Sequence, residues 1–223
     1  MKTTSFWTDD FPRPADLPIS PLPERVDVAI VGGGYTGLSA ARTLAKGGAS
    51  VAVLEQRPIG GGASSVNGGQ VGPGLKLNIQ SAFKKYGPEM GRELWRASVA
   101  AVRHLEQTLV EENIDCDYTH AGGIALAYRP SHYRHMAEEV EWMARELDFH
   151  ELEIVPPERL SEEIGSDVFP GGLVERMAAG CTRPNTFTAW PVQPPAPGPN
   201  CASTPKSRRF AAWPRRGFSN NHQ

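Results

Sequence analysis

The sequence predicts an α/β fold built on a parallel sheet, and its first regular segments carry this prediction. An apolar run at Val28–Val31 meets three consecutive glycines, Gly32–Gly34. A helical pattern follows over Tyr35–Lys46, and a second apolar run, Val51–Leu54, ends on Glu55. Strand, tight turn, helix, strand and acid in this order are typical of a Rossmann-like dinucleotide-binding unit.

Each residue type in this unit has a mechanical reason. Gly32 permits the sharp exit from the first strand, and Gly34 lets the backbone approach a pyrophosphate without a Cβ in the way. Gly37 lets the helix pack closely on the strands, and the helix N-terminus offers N–H groups and a positive dipole end to phosphates. Glu55 lies 23 residues after Gly32 and can accept hydrogen bonds from a ribose 2′-OH, while it would repel a 2′-phosphate. The alternative is a glycine turn that binds nothing, but such a turn would not need all four flanking features.

The segment after Glu55 is a glycine-rich loop. Six glycines fall between Gly60 and Gly72, separated by alanine, serine and asparagine. Backbone N–H groups and small polar side chains of this kind can wrap a phosphate or the edge of a flat ring. The alternative is a disordered linker, but its position directly after the acid-bearing strand favours contact with a cofactor.

The rest of the body alternates helical and extended patterns. The sequence predicts, in order, a helix over Pro88–Glu112, a strand with a glycine break over Tyr118–Tyr128, a helix capped by Ser131 and ending at Leu147, a short strand at Ile154–Val155 and a short helix ending at Ile164. In the first helix, the apolar face is predicted to contain Met90, Leu94, Ala101, Leu105 and Leu109, with Trp95 and Val102 beside it. In the second, it is predicted to contain Met136, Val140, Met143 and Leu147.

Composition and motifs exclude several classes of function. The chain has 223 residues, a formal net charge of −2, 39% hydrophobic and 22% charged residues, which gives no sign of nucleic-acid binding. Neither a signal peptide nor an apolar run long enough to span a membrane is present, and three widely spaced cysteines favour a reducing cytoplasm. Three histidines, His120, His132 and His135, lack convincing metal-ligand spacing, so no metal is predicted. Motifs of serine hydrolases, phosphate-loop enzymes and zinc proteases are also missing.

The two ends of the chain differ from its body. Residues 1–25 contain five prolines and are predicted to form an extended arm, in which Phe6 and Trp7 dock on the body. Residues 181–223 contain six basic residues, no acidic ones and 8 of the 20 prolines. This tail is predicted to be disordered.

The quoted segments resemble the FAD-dependent amine and amino-acid oxidoreductases of the D-amino-acid oxidase superfamily. The resemblance rests on SFWTDD, DVAIVGGGYTGLSAARTLA, VAVLE, GGGASSVNGGQVGPGL and GSDVFPGGL, which together span most of residues 5–180. It implies an incomplete Rossmann-like FAD-binding domain over residues 26–180, with the start of a mixed α+β substrate domain. It also implies cofactor-binding roles for Gly32, Gly34, Thr36, Gly37, Glu55, Ala63, Ser64, Asn67, Gly68, Gly69 and Gln70. One departure is Val66, where the family usually has arginine, and losing that cation would loosen the contacts of the loop.

The resemblance implies hydride transfer from a carbon bearing a primary or secondary amine to flavin N5. The substrate would be an amine such as gamma-glutamylputrescine, with glycine, sarcosine or a D-amino acid as alternatives. A nicotinamide-binding domain remains a further alternative, which the GASSVNGGQ loop disfavours. No catalytic residue is assigned, because the family's substrate-facing residues come after this region, and the oligomeric state stays open. A non-catalytic fragment of such an enzyme is the second hypothesis.

The tail departs from the family directly after Gly180. One permitted back-translation of residues 181–198, prefixed with a single C and read in the shifted frame, gives LHPAKYFHGLAGSAARAG, which is the segment expected of the family. The third base of each codon can be chosen freely in this back-translation, whereas the first two bases are largely fixed by the amino acids. We therefore interpret residues 181–223 as an out-of-frame tail that follows a one-base deletion near codon 180.

Overall fold

The computed structural model describes Asp9, residues 23–57, residues 59–181 and the backbone of residues 209–213. Most of the predicted arm and tail therefore lie outside the described residues, and both interpretations stay predictions. The chain divides into two compact units. Unit 1 contains the described residues up to Gly68, Ile114–Cys116 and the strand at 209–213, and unit 2 contains Gly69–Asn113 and Asp117–Thr182.

Within its described residues, unit 1 is built on a three-stranded sheet with one covering helix. Its elements, in chain order, are β1 (Val28–Val31), α1 (Tyr35–Lys46), β2 (Val51–Glu55), a 3₁₀ turn (Ala63–Ser65) and, later in the chain, a strand at Arg209–Trp213. Strand β1 is parallel to β2, with Val28 opposite Val51 and Val31 opposite Leu54. The strand at 209–213 is antiparallel to β2 on its other side. Strand, helix and parallel strand agree with the predicted nucleotide-binding unit.

The core of unit 1 lies between α1 and the sheet. Ala41 of the helix packs with Val51 and Val53 of β2, and all three are almost completely buried. Partly buried Val28 and Ile30 of β1 extend this cluster. Alternation in β1 and continuous burial in β2 are the patterns of an outer and an inner strand. Burial of these β-branched side chains fixes the register of the helix on the strands.

Unit 2 combines two small sheets with four helices. Its strands are β3 (Gln70–Val71), β4 (Tyr118–Thr119), β5 (Gly123–Leu126), β6 (Leu152–Val155), β7 (Gly172–Glu175) and β8 (Ala179–Cys181). Its helices are α2 (Ile79–Tyr86), α3 (Pro88–Glu111), α4 (Pro130–Leu147) and α5 (Leu160–Glu163), the last preceded by a 3₁₀ turn at Pro157–Arg159. The sheet orders are β3-β8-β4 and β5-β7-β6, and all the pairs in them are antiparallel. This combination of helices and antiparallel sheets agrees with the mixed α+β part of the predicted fold class.

Aromatic and sulfur side chains form the main core of unit 2. Trp95 meets Phe149 edge to face with ring centroids 5.0 Å apart, and Phe83 meets Trp142 in the same way at 4.9 Å. Buried Met143 belongs to the same cluster. Edge-to-face pairs of this kind contribute about 0.5–1.5 kcal/mol beyond area burial. A smaller cluster under the β5-β7-β6 sheet is made of Val155, Leu160 and Val174.

Two expectations about the helices are wrong. Helix α4 does not begin on a Ser131 cap: Pro130 occupies its first turn, and the capping position is the extended Arg129, whose side chain makes no cap hydrogen bond. The reason is that proline suits the first helical turn and forces the residue before it into an extended conformation. In α3, Met90 is 51% exposed and not on the buried face. The buried stripe follows Trp95 and Val102, which were placed beside the predicted face, and Leu109, which was placed on it.

Helix α2 is absent from the sequence-based expectations, although Ile79, Ala82, Phe83 and Tyr86 follow the i, i+3, i+4, i+7 spacing of an amphipathic helix. Its start is also clearly marked: the Asn78 side chain accepts a hydrogen bond from the backbone N–H of Gln80 at 2.9 Å. Strands β3, β7 and β8 are also absent from those expectations. No helix among the described residues is long and apolar enough to cross a membrane.

Truncating the β6 core should destabilise unit 2 measurably. Val155 is 0% exposed, so Val155→Ala removes buried methyl groups and leaves a cavity, at a cost of about 2 kcal/mol in the free energy of unfolding. Val168→Ala is the matched control because Val168 is 77% exposed, and it should change stability by less than about 0.5 kcal/mol. Urea unfolding of both variants measures the difference. Equal losses would contradict the placement of β6 in the core.

Candidate functional site

The centre of the candidate site is the turn that joins β1 to α1. Gly32 has φ +105°, which disfavours any residue with a side chain, and its N–H donates to the Leu54 carbonyl at 2.8 Å. A Cβ on Gly37 would overlap the carbonyl oxygen of Gly32, so α1 approaches the turn as closely as glycine allows. The predicted roles of these two glycines therefore have a steric basis in the structure.

Gly33, which was not predicted as a site residue, is the most constrained residue of the turn. It is buried, and a Cβ there would lie 2.9 Å from the Ile59 side chain and 3.2 Å from Glu55 Cβ. Its carbonyl accepts a hydrogen bond from Gly60 N at 2.9 Å. The run of three glycines was the available signal, but the reason for the middle one depends on Ile59 and Gly60, which lie in the following loop.

Glu55 closes the turn from the end of β2. One carboxylate oxygen accepts a hydrogen bond from Gly33 N at 2.6 Å, and the other accepts one from Arg57 N at 2.8 Å. Partial burial acts to raise the pKa of Glu55, but backbone N–H donors from Gly33, Arg57 and Gln56 and the charge of Arg57 outweigh it and lower the pKa. Glu55 is therefore ionised at neutral pH, and each of its oxygens retains capacity to accept a further hydrogen bond.

The loop after β2 folds back over the start of α1. Ser64 Oγ accepts a hydrogen bond from Tyr35 N at 3.2 Å, and a Cβ on Gly34 would lie 2.9 Å from the same oxygen. Asn67 fastens the loop, because its amide donates to the carbonyls of Ala63 at 3.1 Å and Ser64 at 3.0 Å. These contacts place a short polar turn at the positive end of the helix dipole.

The predicted residues divide between the units. Unit 1 holds the following: Gly32, Gly34, Thr36, Gly37, Glu55, Ala63, Ser64, Asn67 and Gly68. Thr36 is exposed in the first turn of α1, where helix geometry leaves N–H groups without intrahelical acceptors. Gly69 and Gln70 belong to unit 2: Gln70 pairs with Gly180, and Gly69 accepts a hydrogen bond from Cys181 N at 2.8 Å.

A cavity lies beside the turn within unit 1. It has a volume of about 420 Å³ and is lined by Val31, Gly32, Leu54, Glu55 and Gln56. The carboxyl ends of β1 and β2 open into it. This is the edge at which parallel α/β sheets bind their ligands.

Comparison with known proteins identifies the family. The model of the DAO family, described as FAD-dependent oxidoreductase, matches residues 27–191. The chain belongs to this family. The resemblance inferred from the sequence is therefore confirmed, and FAD is the cofactor by which the family is described.

Individual members of the family agree with this assignment. The chain is 35% identical over 149 residues to gamma-glutamylputrescine oxidoreductase of Escherichia coli, covering 67% of this chain and 34% of that protein. It is 30% identical over 173 residues to the probable oxidoreductase OrdL of Haemophilus influenzae, covering 77% of this chain and 39% of that protein. The crystal structure of glycine oxidase from Geobacillus kaustophilus matches with a TM-score of 0.59 and 25% identity, over 75% of this chain and 43% of that one. The matched part of the chain thus spans 34–43% of the length of these relatives.

The close approach of α1 to the turn should not tolerate a methyl group. Gly37→Ala places Cβ against the Gly32 carbonyl, and we expect a loss of about 1–3 kcal/mol in unfolding free energy despite alanine's better helix propensity. Gly62→Ala is the matched control, because nothing lies within 4 Å of a Cβ at that position. Thermal unfolding followed by circular dichroism measures both variants. A Gly37→Ala variant as stable as the control would contradict the described packing.

Protonation of Glu55 in acid should weaken its hydrogen bonds and make unit 1 less stable. Because the folded state lowers the pKa of Glu55, its stabilisation is present above the unfolded-state pKa and is lost as pH falls through the folded-state value. Glu55→Gln should therefore cost about 1–2 kcal/mol at pH 7. The difference from wild type should shrink as the pH falls below the ordinary pKa of glutamate.

The control for this experiment is Glu24→Gln, a change at an exposed glutamate of the same unit. Urea unfolding at several pH values measures all three proteins. A Glu55→Gln effect that stays constant with pH would show that the carboxylate charge does not hold the turn.

Proposed function

We propose that the protein oxidises a primary or secondary amine with FAD, and that this chain supplies the residues that hold the nucleotide part of the cofactor. The observation that carries the proposal is the glycine turn at the start of α1, closed by an ionised Glu55 and covered by Ser64. Membership of the family supports FAD as the group that would bind there.

The residues present fit this cofactor. Gly34 keeps a side chain away from the helix N-terminus, where a Cβ would lie 2.9 Å from Ser64 Oγ, and the positive dipole end of α1 would favour a phosphate there. Glu55 is charged and accepts hydrogen bonds only, so it would bind ribose hydroxyls and repel a 2′-phosphate. Ser64 and Asn67 would position the loop along the pyrophosphate, with Ala63, Gly68, Gly69 and Gln70 continuing toward the flavin ring.

The chemistry follows from the type of cofactor. When bound, FAD would supply the group that accepts a hydride from the carbon bearing the amine. The residues of this chain would bind and orient the nucleotide, so that the reacting ring is held at a fixed position. No described residue is assigned to proton transfer or to contact with the amine in this step.

The substrate is proposed by similarity. Identity of 35% to gamma-glutamylputrescine oxidoreductase favours a gamma-glutamylputrescine-like amine. The structural match to glycine oxidase favours glycine or a related amino acid as the alternative. Both relatives are named for compounds that carry an oxidisable amine, which is the shared chemistry.

A second candidate function is a nucleotide-binding fragment without catalytic activity. It is favoured by the extent of the matches, since the chain covers 34% of gamma-glutamylputrescine oxidoreductase and 39% of OrdL. The two candidates share the FAD site and differ in turnover. Reduction of bound flavin by an amine under anaerobic conditions would support the first, and FAD binding without reduction would support the second.

Binding of FAD should depend on the absence of a side chain at Gly34. Titration of the purified chain with FAD, followed by quenching of flavin fluorescence, should give saturable binding. Gly34→Val places a branched side chain against Ser64 Oγ at the helix N-terminus and should weaken binding at least about tenfold.

Gly165→Val is the matched control, because Gly165 lies in unit 2 with nothing within 4 Å of a Cβ. It should bind FAD as wild type does. Equal affinity of the two variants, with both folded by circular dichroism, would argue against phosphate binding at this turn.

A further inference from the structure

The segment around helix α2 carries positive charge without any acidic residue. From Gln56 to Pro88 the sequence contains no aspartate or glutamate, whereas it contains Arg57, Lys76, Lys84 and Lys85. The net charge of −2 for the whole chain conceals this local excess. The lysines belong to unit 2, and no residue assigned to the cofactor lies among them.

Helix α2 uses only one of its faces to pack on the core of unit 2. Ile79 and Ala82 are buried in the aromatic cluster, and Phe83 packs against it. Lys84 and Lys85 are exposed on the remaining surface of the helix. Because the core already covers the apolar face, the basic face is left to solvent.

The two lysines of this helix are not neutralised by a carboxylate within the part of the chain that the structure describes. Neither Lys84 nor Lys85 forms an ion pair there, and Lys85 Nζ lies 4.9 Å from the centroid of the Tyr86 ring. The next cation along the chain, Arg92, is paired with Glu146 at 2.8 Å. The lysine charges therefore remain available to an external anion.

Exposed apolar side chains flank the lysines at both ends of α2. Before the helix, Leu75 and Leu77 are 38% and 37% exposed. After it, Tyr86 and Met90 are both 51% exposed. Tyr86 ends α2 and Met90 lies in the first turn of α3, on the corner that Gly87 forms with φ +85°. We define the α2 surface as Leu75, Leu77, Lys84, Lys85, Tyr86 and Met90.

Positive charge combined with exposed apolar side chains indicates a lipid surface as the partner. A membrane with anionic lipid presents negative headgroups and, just below them, hydrocarbon, and basic amphipathic segments bind at this boundary. Lysine keeps its ammonium among the headgroups while its stem contacts apolar material, and tyrosine favours the same boundary. A nucleic-acid backbone would pair with the lysines but offers no hydrocarbon layer for the apolar side chains.

We propose that the α2 surface docks this protein reversibly on a membrane that contains anionic lipid. Lys84 and Lys85 pair with the headgroups, and the apolar side chains of the surface enter the boundary with the hydrocarbon. The surface includes no residue assigned to FAD, so its test is made without flavin. Failure of this inference is therefore distinguishable from failure of the proposed function.

Co-sedimentation of the full chain with lipid vesicles tests the proposal. Vesicles of phosphatidylcholine with about one third phosphatidylserine should bind wild type at least about tenfold more tightly than vesicles of phosphatidylcholine alone. Raising the salt concentration from about 0.1 M to about 1 M should weaken the binding, because the ions screen the lysine charges. Equal binding to both kinds of vesicle, or binding to neither, would overturn the proposal.

Two double variants separate the charges from the apolar contacts. Lys84→Gln combined with Lys85→Gln should weaken binding to the anionic vesicles about tenfold or more, because two charges facing the headgroups are lost. Leu77→Ser combined with Tyr86→Ser should weaken it about tenfold as well, because less apolar surface enters the membrane. An apolar variant that binds as wild type does would reveal a general polyanion surface and would overturn the lipid proposal.

The matched charge control is Arg103→Gln combined with Arg134→Gln. It removes the same charge from two exposed positions of unit 2 outside the α2 surface and should bind nearly as wild type does. A loss equal to that of the lysine variant would show that net charge alone acts, which contradicts a defined docking surface.

Hydrogen exchange of wild type with anionic vesicles locates the contact, and exchange should slow within residues 75–90. Slowing confined to other segments would also overturn the proposal. Circular dichroism establishes that each variant is folded, and if a variant is not, the wild-type exchange pattern and the comparison of the two vesicles decide.

Discussion

The Glu55 carboxylate accepts hydrogen bonds from Gly33 N in the glycine turn and from Arg57 N just after β2, and the proposed nucleotide site depends on them. The bond from Gly33 ties the end of β2 to the turn before α1, so that the two strands and the helix meet at one point. The N–H of Gly33 can reach the carboxylate because no side chain separates them. The same hydrogen bonds keep Glu55 ionised, which is the state required to accept hydroxyl groups of a ribose. Local structure and ligand chemistry are therefore set by one residue.

Much of unit 1 could be predicted from the sequence because its signals are local. The apolar run of β1, the glycines after it and the periodicity of α1 each specify their own element, and the helix bounds Tyr35–Lys46 agree with expectation. The hydrogen bond from Gly33 N to Glu55 could not be predicted, since the sequence indicated only that Glu55 would bind a ribose hydroxyl. The part played by Gly33 was missed for the same reason, because it depends on packing against Ile59 after the chain has folded.

Several elements of unit 2 could not be predicted from local sequence patterns, because they depend on contacts between distant parts of the chain. Strand β3 exists only because Gln70 and Val71 pair with Gly180 and Ala179, far along the chain, and two residues carry no periodicity of their own. In α3 the buried residues Trp95, Val102 and Leu109 are seven positions apart, and the sequence placed Leu109 on the apolar face but Trp95 and Val102 only beside it.

The central claim is that FAD is held by the turn between β1 and α1 and by the loop that folds over it. Hydrogen exchange of the backbone amides, measured by mass spectrometry with and without FAD, tests this claim most directly. FAD should slow exchange in residues 32–38 and 63–68 of unit 1, where the glycine turn and the Ser64 loop lie. Unchanged exchange in both segments at saturating FAD, or slowing confined to unit 2, would contradict it.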